Sequence, residues 1–185
     1  MANVFSPAKL IRREDSILVI IDVQEKLMPA IPNRQQVIDN VIRLIRFARI
    51  IGLPVILTEQ DKLGPTLPEI KKEIPGVDPI VKTSFNCFYC PAFSEQVKKP
   101  GRNTLILAGV ENHVCVAQTA LHALPGFNVH VVGDAISSRT PENRDLGIER
   151  MRQFGAVITS TEMLIFELLK QAGTEEFKKV LPLVK

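Results

Sequence analysis

A run of apolar, mostly β-branched residues closed by a carboxylate, S-I-L-V-I-I-D at 16–22, leaves few folds open to this chain. A strand without a polar residue on either side of its pleat has to be buried on both faces, which happens in parallel sheets covered by helices. The next residues carry the matching punctuation. Pro29 and Pro32 break the chain, Asn33 is placed to cap a helix, and Val37, Val41, Leu44 with Ile45, Ala48 and Ile51 recur every three or four residues until Gly52. Residues 54–58, P-V-I-L-T, supply a second strand. The opening therefore spells strand, helix, strand, with the length of a right-handed crossover unit.

The alternation continues after a less regular middle. Gly64, Pro65, Pro68, Pro75, Gly76 and Pro79 make 59–81 loop-rich, with a short helix at about 67–73 and a brief extended piece at 79–82. A short helix is expected at 92–99, a strand at 103–110, a helix at about 113–124 and a strand at 128–132. Thr140-Pro141 opens a helix that runs to 154, Gly155 returns the chain at 156–158, and a last helix covers 161–170. With 45% of 185 residues apolar, one unit can bury a sizeable core. The reading is a single doubly wound α/β domain over 1–185, a mostly parallel sheet flanked by helices.

Charge and composition remove several function classes. Lys and Arg number 23 against 20 Asp and Glu, and the basic residues run no longer than pairs such as Arg12-Arg13 and Lys98-Lys99, so no nucleic-acid partner is expected. Without Trp and with one Tyr, there is little to stack bases on. No run approaches the roughly 18 uninterrupted apolar residues of a membrane span, and residues 1–7 lack a basic region leading into an apolar stretch. An odd count of three cysteines fits a reducing compartment, so a cytoplasmic protein is expected.

Ligands of open parallel sheets sit beyond the C-terminal ends of the strands, which singles out Asp22, Lys82 and Cys115. Cys115 falls in the opening turn of the expected helix, where free N–H groups and the dipole favour a thiolate and lower its pKa. Among Val114, Val116 and Ala117 it reads equally as a small core residue. Lys82 is either an exposed surface lysine or an ammonium that stabilises the thiolate and, when desolvated, trades protons near neutrality. Asp22 either caps its turn or is a rigidly held general base. Taken together, the acid can accept the thiol proton while the ammonium stabilises the anion.

The segments I-L-V-I-I-D-V-Q around Asp22, V-K-T-S-F-N-C-F around Lys82 and L-A-G-V-E-N-H-V-C-V around Cys115 resemble, in order and spacing, the isochorismatase-like cysteine hydrolases. The form G-V-E-N-H-V-C-V is most similar to the isochorismatase-domain-containing branch. The resemblance covers nearly the whole chain and implies a doubly wound α/β fold with Asp22, Lys82 and Cys115 as a catalytic triad. It also implies a cis peptide at Val110-Glu111, an oxyanion hole from the N–H groups of Glu111 and Cys115, room for the turn at Gly109, and a homo-oligomer. The implied reaction is hydrolysis of a small amide, N-carbamoyl or related compound through an acyl-enzyme; isochorismate, a vinyl ether, is the family's exception. The nicotinamidase branch holds a metal through Asp and His residues after the second strand. Here that loop reads T-E-Q-D-K-L-G-P-T, and His113, His122 and His130 are scattered, so no metal and no cofactor are expected. Gln24, Glu59, Gln60, Phe85 and Phe88 fall on loops expected to line the crevice and contact substrate.

Competing readings are weaker. Cys87 and Cys90 form a C-x-x-C, but a zinc site lacks two further ligands and a redox pair should open a helix directly after a strand. His113 lies two residues from Cys115, a spacing that points the two to different sides of a helical turn, so a structural or rim role is expected. Phosphoryl transfer through Asp22 lacks a second Asp two residues on, where Gln24 stands, and lacks a glycine-rich phosphate loop. The serious alternative is a catalytically idle protein of this fold that serves as a binding or scaffold partner. Met163, Phe166 and Leu169 read as interface or core.

Overall fold

A computed structural model of the protein describes residues 10–99 and 101–185; the N-terminal residues read above for a leader lie outside them. In chain order the elements are β1 (Ser16–Ile21), α1 (Arg34–Ile51), β2 (Val55–Gln60), α2 (Pro68–Glu73), β3 (Ile80–Lys82), α3 (Pro91–Lys98) and β4 (Thr104–Val110). They continue with α4 (Ala117–Ala123), β5 (Asn128–Ser137), α5 (Pro141–Gln153), β6 (Val157–Thr159), α6 (Thr161–Leu169) and α7 (Glu175–Val184). The six strands form one sheet in the order β3-β2-β1-β4-β5-β6, every neighbouring pair parallel. Strand order reverses between β1 and β4, so the crevice that receives ligands in such sheets opens beyond the C-terminal ends of these two strands.

Every residue of β1 and β4 is buried, as their unbroken apolar runs require. Alternate side chains go to opposite faces. Leu18 and Ile20 pack with Val37 and Leu44 of α1, Leu164 and Leu168 of α6 and Val180 of α7. Ile17, Val19 and Ile21 pack with Phe93 and Val97 of α3, Ala120 of α4 and Met151 of α5. Each such aliphatic side chain contributes about 1.5–3 kcal/mol by leaving water, so the strands are held from both sides. Of the three apolar residues left open between interface and core, Leu169 is core, whereas Met163 and Phe166 are exposed.

Four features depart from the sequence reading. The residue Asn33 does precede α1, but its side chain caps nothing; instead its Oδ1 accepts from Ser137 Oγ, tying the start of α1 to the end of β5. β5 runs five residues further than expected, to Ser137, after a register shift against β4 between Leu107 and Gly109. The helix expected at about 113–124 is split into a π-helical turn, Asn112–Val116, and α4. Finally, α7 was not foreseen; Thr174 caps it by accepting from the Phe177 N–H, and Val180 docks it on the core.

Gly109 connects the fold to the site. Its φ is +117°, and a Cβ built there would lie 2.0 Å from the Ile21 carbonyl oxygen and 2.7 Å from the Ile21 nitrogen. Only glycine allows β4 to approach the end of β1 this closely. Any side chain would push on the peptide that precedes Asp22.

Candidate active site

Asp22 follows β1 directly, in the left-handed region at φ 53°, with its N–H donating to the Thr58 carbonyl at 3.2 Å. Its carboxylate is fully buried and held at both oxygens: Thr58 Oγ1 donates to Oδ1 at 2.7 Å, and Lys82 Nζ donates to Oδ2 at 2.7 Å. Lys82 ends the edge strand β3, yet it is only 2% exposed because its side chain passes over the end of β2 to reach Asp22. Its ammonium also donates to Gln60 Oε1 at 2.9 Å and to the Ser84 carbonyl at 3.2 Å, so its three N–H donors all have acceptors.

Cys115 is buried and is the fourth residue of the π-helical turn. Within that turn the Val116 N–H bonds the Glu111 carbonyl at 3.2 Å. Single π turns of this kind recur at functional sites because they re-aim one side chain within a helix. Helix α5 braces this one. Asn112 Nδ2 donates to the Arg144 carbonyl at 2.6 Å, and Gly147 leaves space for that amide, since a Cβ there would lie 2.7 Å from Asn112 Nδ2. The Val110-Glu111 peptide is cis. The Glu111 side chain turns away to accept from the Arg139 N–H at 3.2 Å and from Arg139 Nε at 2.9 Å.

The electrostatics overturn one expectation. Burial pushes the Cys115 thiol up, and the charge of the neighbouring Asp22 carboxylate pushes it further up; Lys82 offsets only part of this. The dipole of the turn does not prevail, because desolvation and a neighbouring carboxylate outweigh the fraction of a charge at a helix end. For Lys82, burial works against the charge, but Asp22 and the two nearby thiols outweigh it, and its pKa lies above the ordinary lysine value. Lys82 therefore stays an ammonium at neutral pH and does not trade protons there. The resting cluster is a neutral thiol, a carboxylate and an ammonium.

Asp22, Lys82 and Cys115 thus converge from the ends of β1 and β3 and the turn after β4. The expected substrate contacts divide. Gln24 is fully buried with its amide taken by backbone: Nε2 donates to the carbonyls of Gln60 at 3.0 Å and Gly64 at 2.6 Å, and Oε1 accepts from the Gln60 N–H at 2.7 Å. Glu59 Oε1 accepts from the Thr66 N–H and hydroxyl, both at 2.7 Å. These two side chains fasten the loop after β2; the Gln24 amide is fully engaged, and Glu59 is held through Oε1 alone. Gln60 bonds Lys82 and, through Nε2, the Thr83 carbonyl at 2.8 Å. Phe85 is 53% exposed, while Phe88 stacks on His122 with centroids 4.8 Å apart and meets Phe93 edge-on at 5.2 Å. His113 pairs with Ser138, Nδ1 to Oγ at 2.9 Å.

Two residues of this cluster were missed. Thr58 was read only as the end of a strand. Cys87, grouped with Cys90 as an outlying pair, is fully buried and feels both Lys82 and Asp22; burial above all pushes its thiol up to about 11. Cys90 is partly exposed, and both are free thiols. The signal for Cys87 was its place five residues after Lys82, on the return of the same loop. A cavity of about 840 Å³ lies at the opposite ends of the strands, by Thr104, Asn128, His130 and Val157, and contains none of these residues. No helix among the described residues is long and apolar enough to cross a membrane.

Comparison with known proteins gives a consistent picture. Residues 16–163 match the family model for the isochorismatase domain. Isochorismatase domain-containing protein 2A of Mus musculus is 38% identical over 178 residues, covering 93% of this chain and 84% of that protein. Among solved structures, the MAR1 ribonuclease from Caenorhabditis elegans is similar with a TM-score of 0.87 and 37% identity, over 95% of this chain and 92% of that one. YcaC from Pseudomonas aeruginosa, with hexane-2,5-diol and covalent acrylamide, has a TM-score of 0.89 and 31% identity over 96% and 92%. YcaC from Escherichia coli, described as an octameric hydrolase of unknown specificity, has a TM-score of 0.86 and 30% identity over 90% and 85%.

Proposed function

This chain belongs to the isochorismatase family of hydrolases, and from that premise we propose that it is a cysteine hydrolase acting on a small amide, N-carbamoyl or related compound. The observation that carries the reading is the buried trio itself: a carboxylate with both oxygens anchored, an ammonium 2.7 Å from it, and a buried thiol close enough to feel both charges. An idle scaffold has no use for a charged pair this costly to bury. The covalent acrylamide in the Pseudomonas neighbour supports a reactive nucleophile in this fold, since acrylamide is a thiol-seeking electrophile.

In this reaction the Cys115 sulfur attacks the carbonyl carbon as its proton passes to Asp22, so a free thiolate never has to persist in the buried site. Charge on the carbonyl oxygen is met by the N–H groups of Glu111 and Cys115. Collapse expels ammonia or an amine, which takes the proton from Asp22 and leaves a thioester on Cys115. Asp22 then draws a proton from water, whose oxygen attacks the thioester and releases the acid, and the thiol is restored. Lys82, with all its donors engaged, fixes Asp22 in place between steps. Phe85, exposed beside this cluster in sequence, remains a substrate contact of the proposal. The same lysine offers no free charge to a polyanion such as RNA, and a small molecule suits the site better. A cytoplasmic homo-oligomer completes the reading, supported by the octameric neighbour and by the exposed Met163 and Phe166 of α6.

The test is mass-spectrometric measurement of Cys115 modification by acrylamide against pH, in the wild type and in Asp22→Asn and Lys82→Ala. Cys90, not Cys87, is the reference thiol. The rate at Cys115 should be nearly flat over about pH 7 to 9, where an ordinary thiol ionises, and should collapse in Asp22→Asn. Ammonia or amine release from a panel of small amides and N-carbamoyl compounds then identifies the substrate. A Cys115 that follows Cys90 in pH dependence and ignores both substitutions would sink the hydrolase reading in favour of a binding partner.

A further inference from the structure

The strand between the two charged residues contributes more than spacing. In the sheet, β2 lies between β1, which delivers Asp22, and β3, which delivers Lys82. Thr58 and Gln60 are two apart at its C-terminal end, so their side chains leave the same face. Each meets one member of the pair. Thr58 Oγ1 donates to Asp22 Oδ1 at 2.7 Å, and Gln60 Oε1 accepts from Lys82 Nζ at 2.9 Å.

We infer that Thr58 and Gln60 are positioning residues of the Cys115 reaction: Thr58 fixes the rotation of Asp22, and Gln60 fixes Lys82 on Asp22's other oxygen. The inference rests on the reading of Asp22 as the base for Cys115. Thr58 grips Asp22 twice, since its carbonyl also accepts the Asp22 N–H at 3.2 Å. A carboxylate bound at Oδ1 by a hydroxyl and at Oδ2 by an ammonium cannot turn about its Cβ–Cγ bond without breaking both. The carboxylate is thereby held in one orientation beside Cys115, whose thiol its charge pushes up. Gln60 is itself fixed. Its Nε2 donates to the Thr83 carbonyl at 2.8 Å and its N–H to Gln24 Oε1 at 2.7 Å, and Gln24 is in turn held by Gly64. The amide can face only one way, because its carbonyl oxygen must meet the ammonium and its NH₂ the carbonyl of Thr83. A continuous chain of hydrogen bonds therefore runs from Gln24 through Gln60 and Lys82 to Asp22 and ends at Thr58.

Removing the Thr58 hydroxyl frees Asp22 Oδ1, so the carboxylate can turn out of line for taking the Cys115 proton and the transfer slows. A threonine that only filled space would not do this, since valine has nearly its shape. The experiment is acrylamide modification of Cys115 against pH in the wild type, Thr58→Val, Thr58→Ser, Gln60→Leu and Asp22→Asn, with Cys90 as reference. In Thr58→Val the Cys115 rate should fall by about tenfold across the profile, the loss of one hydrogen bond to a charged group, while the Cys90 rate stays unchanged. Thr58→Ser should restore the wild-type profile. Gln60→Leu should slow Cys115 without moving the Cys90 rate. If Asp22→Asn collapses the rate while Thr58→Val keeps the wild-type profile, the inference is overturned and the hydrolase reading stands. If Asp22→Asn changes nothing, the hydrolase reading itself fails. Should Thr58→Val not fold, Thr58→Ala against Thr58→Ser makes the same comparison, and equal profiles in these two overturn the inference.

Discussion

Replacing Lys82 with Met withdraws an ammonium that lies 2.7 Å from Asp22 Oδ2 while neither side chain is exposed to water. At that distance, with an effective dielectric constant of about 20, the attraction is about 6 kcal/mol, and the cost of taking both charges out of water offsets much of it. Removing one partner leaves the other buried and uncompensated, so Lys82→Met should cost about 3–5 kcal/mol in unfolding free energy. Asp22→Asn should cost less than Lys82→Met, because Lys82 still has Gln60 and the Ser84 carbonyl as acceptors, whereas Asp22 would retain only the Thr58 hydroxyl. The double variant replaces the pair with an amide and a thioether and should cost about 2–4 kcal/mol less than the two single losses together. Urea unfolding of all four proteins at pH 7, with unchanged slopes, measures the cycle. Losses that add within about 0.5 kcal/mol would show that the two groups do not depend on one another, and the account of the cluster as one electrostatic unit would be wrong.

Other outcomes follow from single contacts. Folded Cys87 keeps its proton up to about 11 against 9.0 for an ordinary thiol, so the unfolded chain loses a proton in this window that the folded one retains. Stability should therefore fall as pH rises from about 9 to about 11, and Cys87→Ala should remove about 2–3 kcal/mol of that fall in urea titrations. Gly109→Ala should destabilise by about 3–5 kcal/mol, combining overpacking against the Ile21 backbone with a strained positive φ. Gly155→Ala, at φ +103° with nothing within 4 Å of the added Cβ, should show only the smaller backbone cost of about 1–2 kcal/mol. An equal effect at both positions in thermal unfolding would refute the close approach of β4 to β1. Light scattering should give a homo-oligomer, and Met163→Glu with Phe166→Glu should lower its order if α6 carries the contact.

The strand-helix alternation and the single sheet were legible because their signals are local. An apolar run such as 17–21 can be satisfied only by burial on both faces, and the spacing of Val37, Val41, Leu44 and Ile51 specifies which side of α1 faces the core. Strand-end position and resemblance to a family also picked out Asp22, Lys82 and Cys115, which lie 60 residues apart at the pair Lys82–Asp22. What sequence could not supply was decided where segments meet. The dipole argument for a lowered Cys115 pKa used one turn, whereas the buried site adds desolvation and Asp22, which act in the opposite direction. Thr58, Cys87 and the role of Gln60 were hidden because their meaning lies in partners brought by other strands. Asn33 turned from its helix to Ser137, a partner 104 residues away. Periodicity and turn chemistry reach over a few residues, which is enough to read the elements and their faces, and strand-end position with the family resemblance adds the candidate trio. Charge and hydrogen bonding depend on distance in space, so the direction in which Cys115 and Lys82 are shifted, and the neighbours that hold the trio in place, came from the fold.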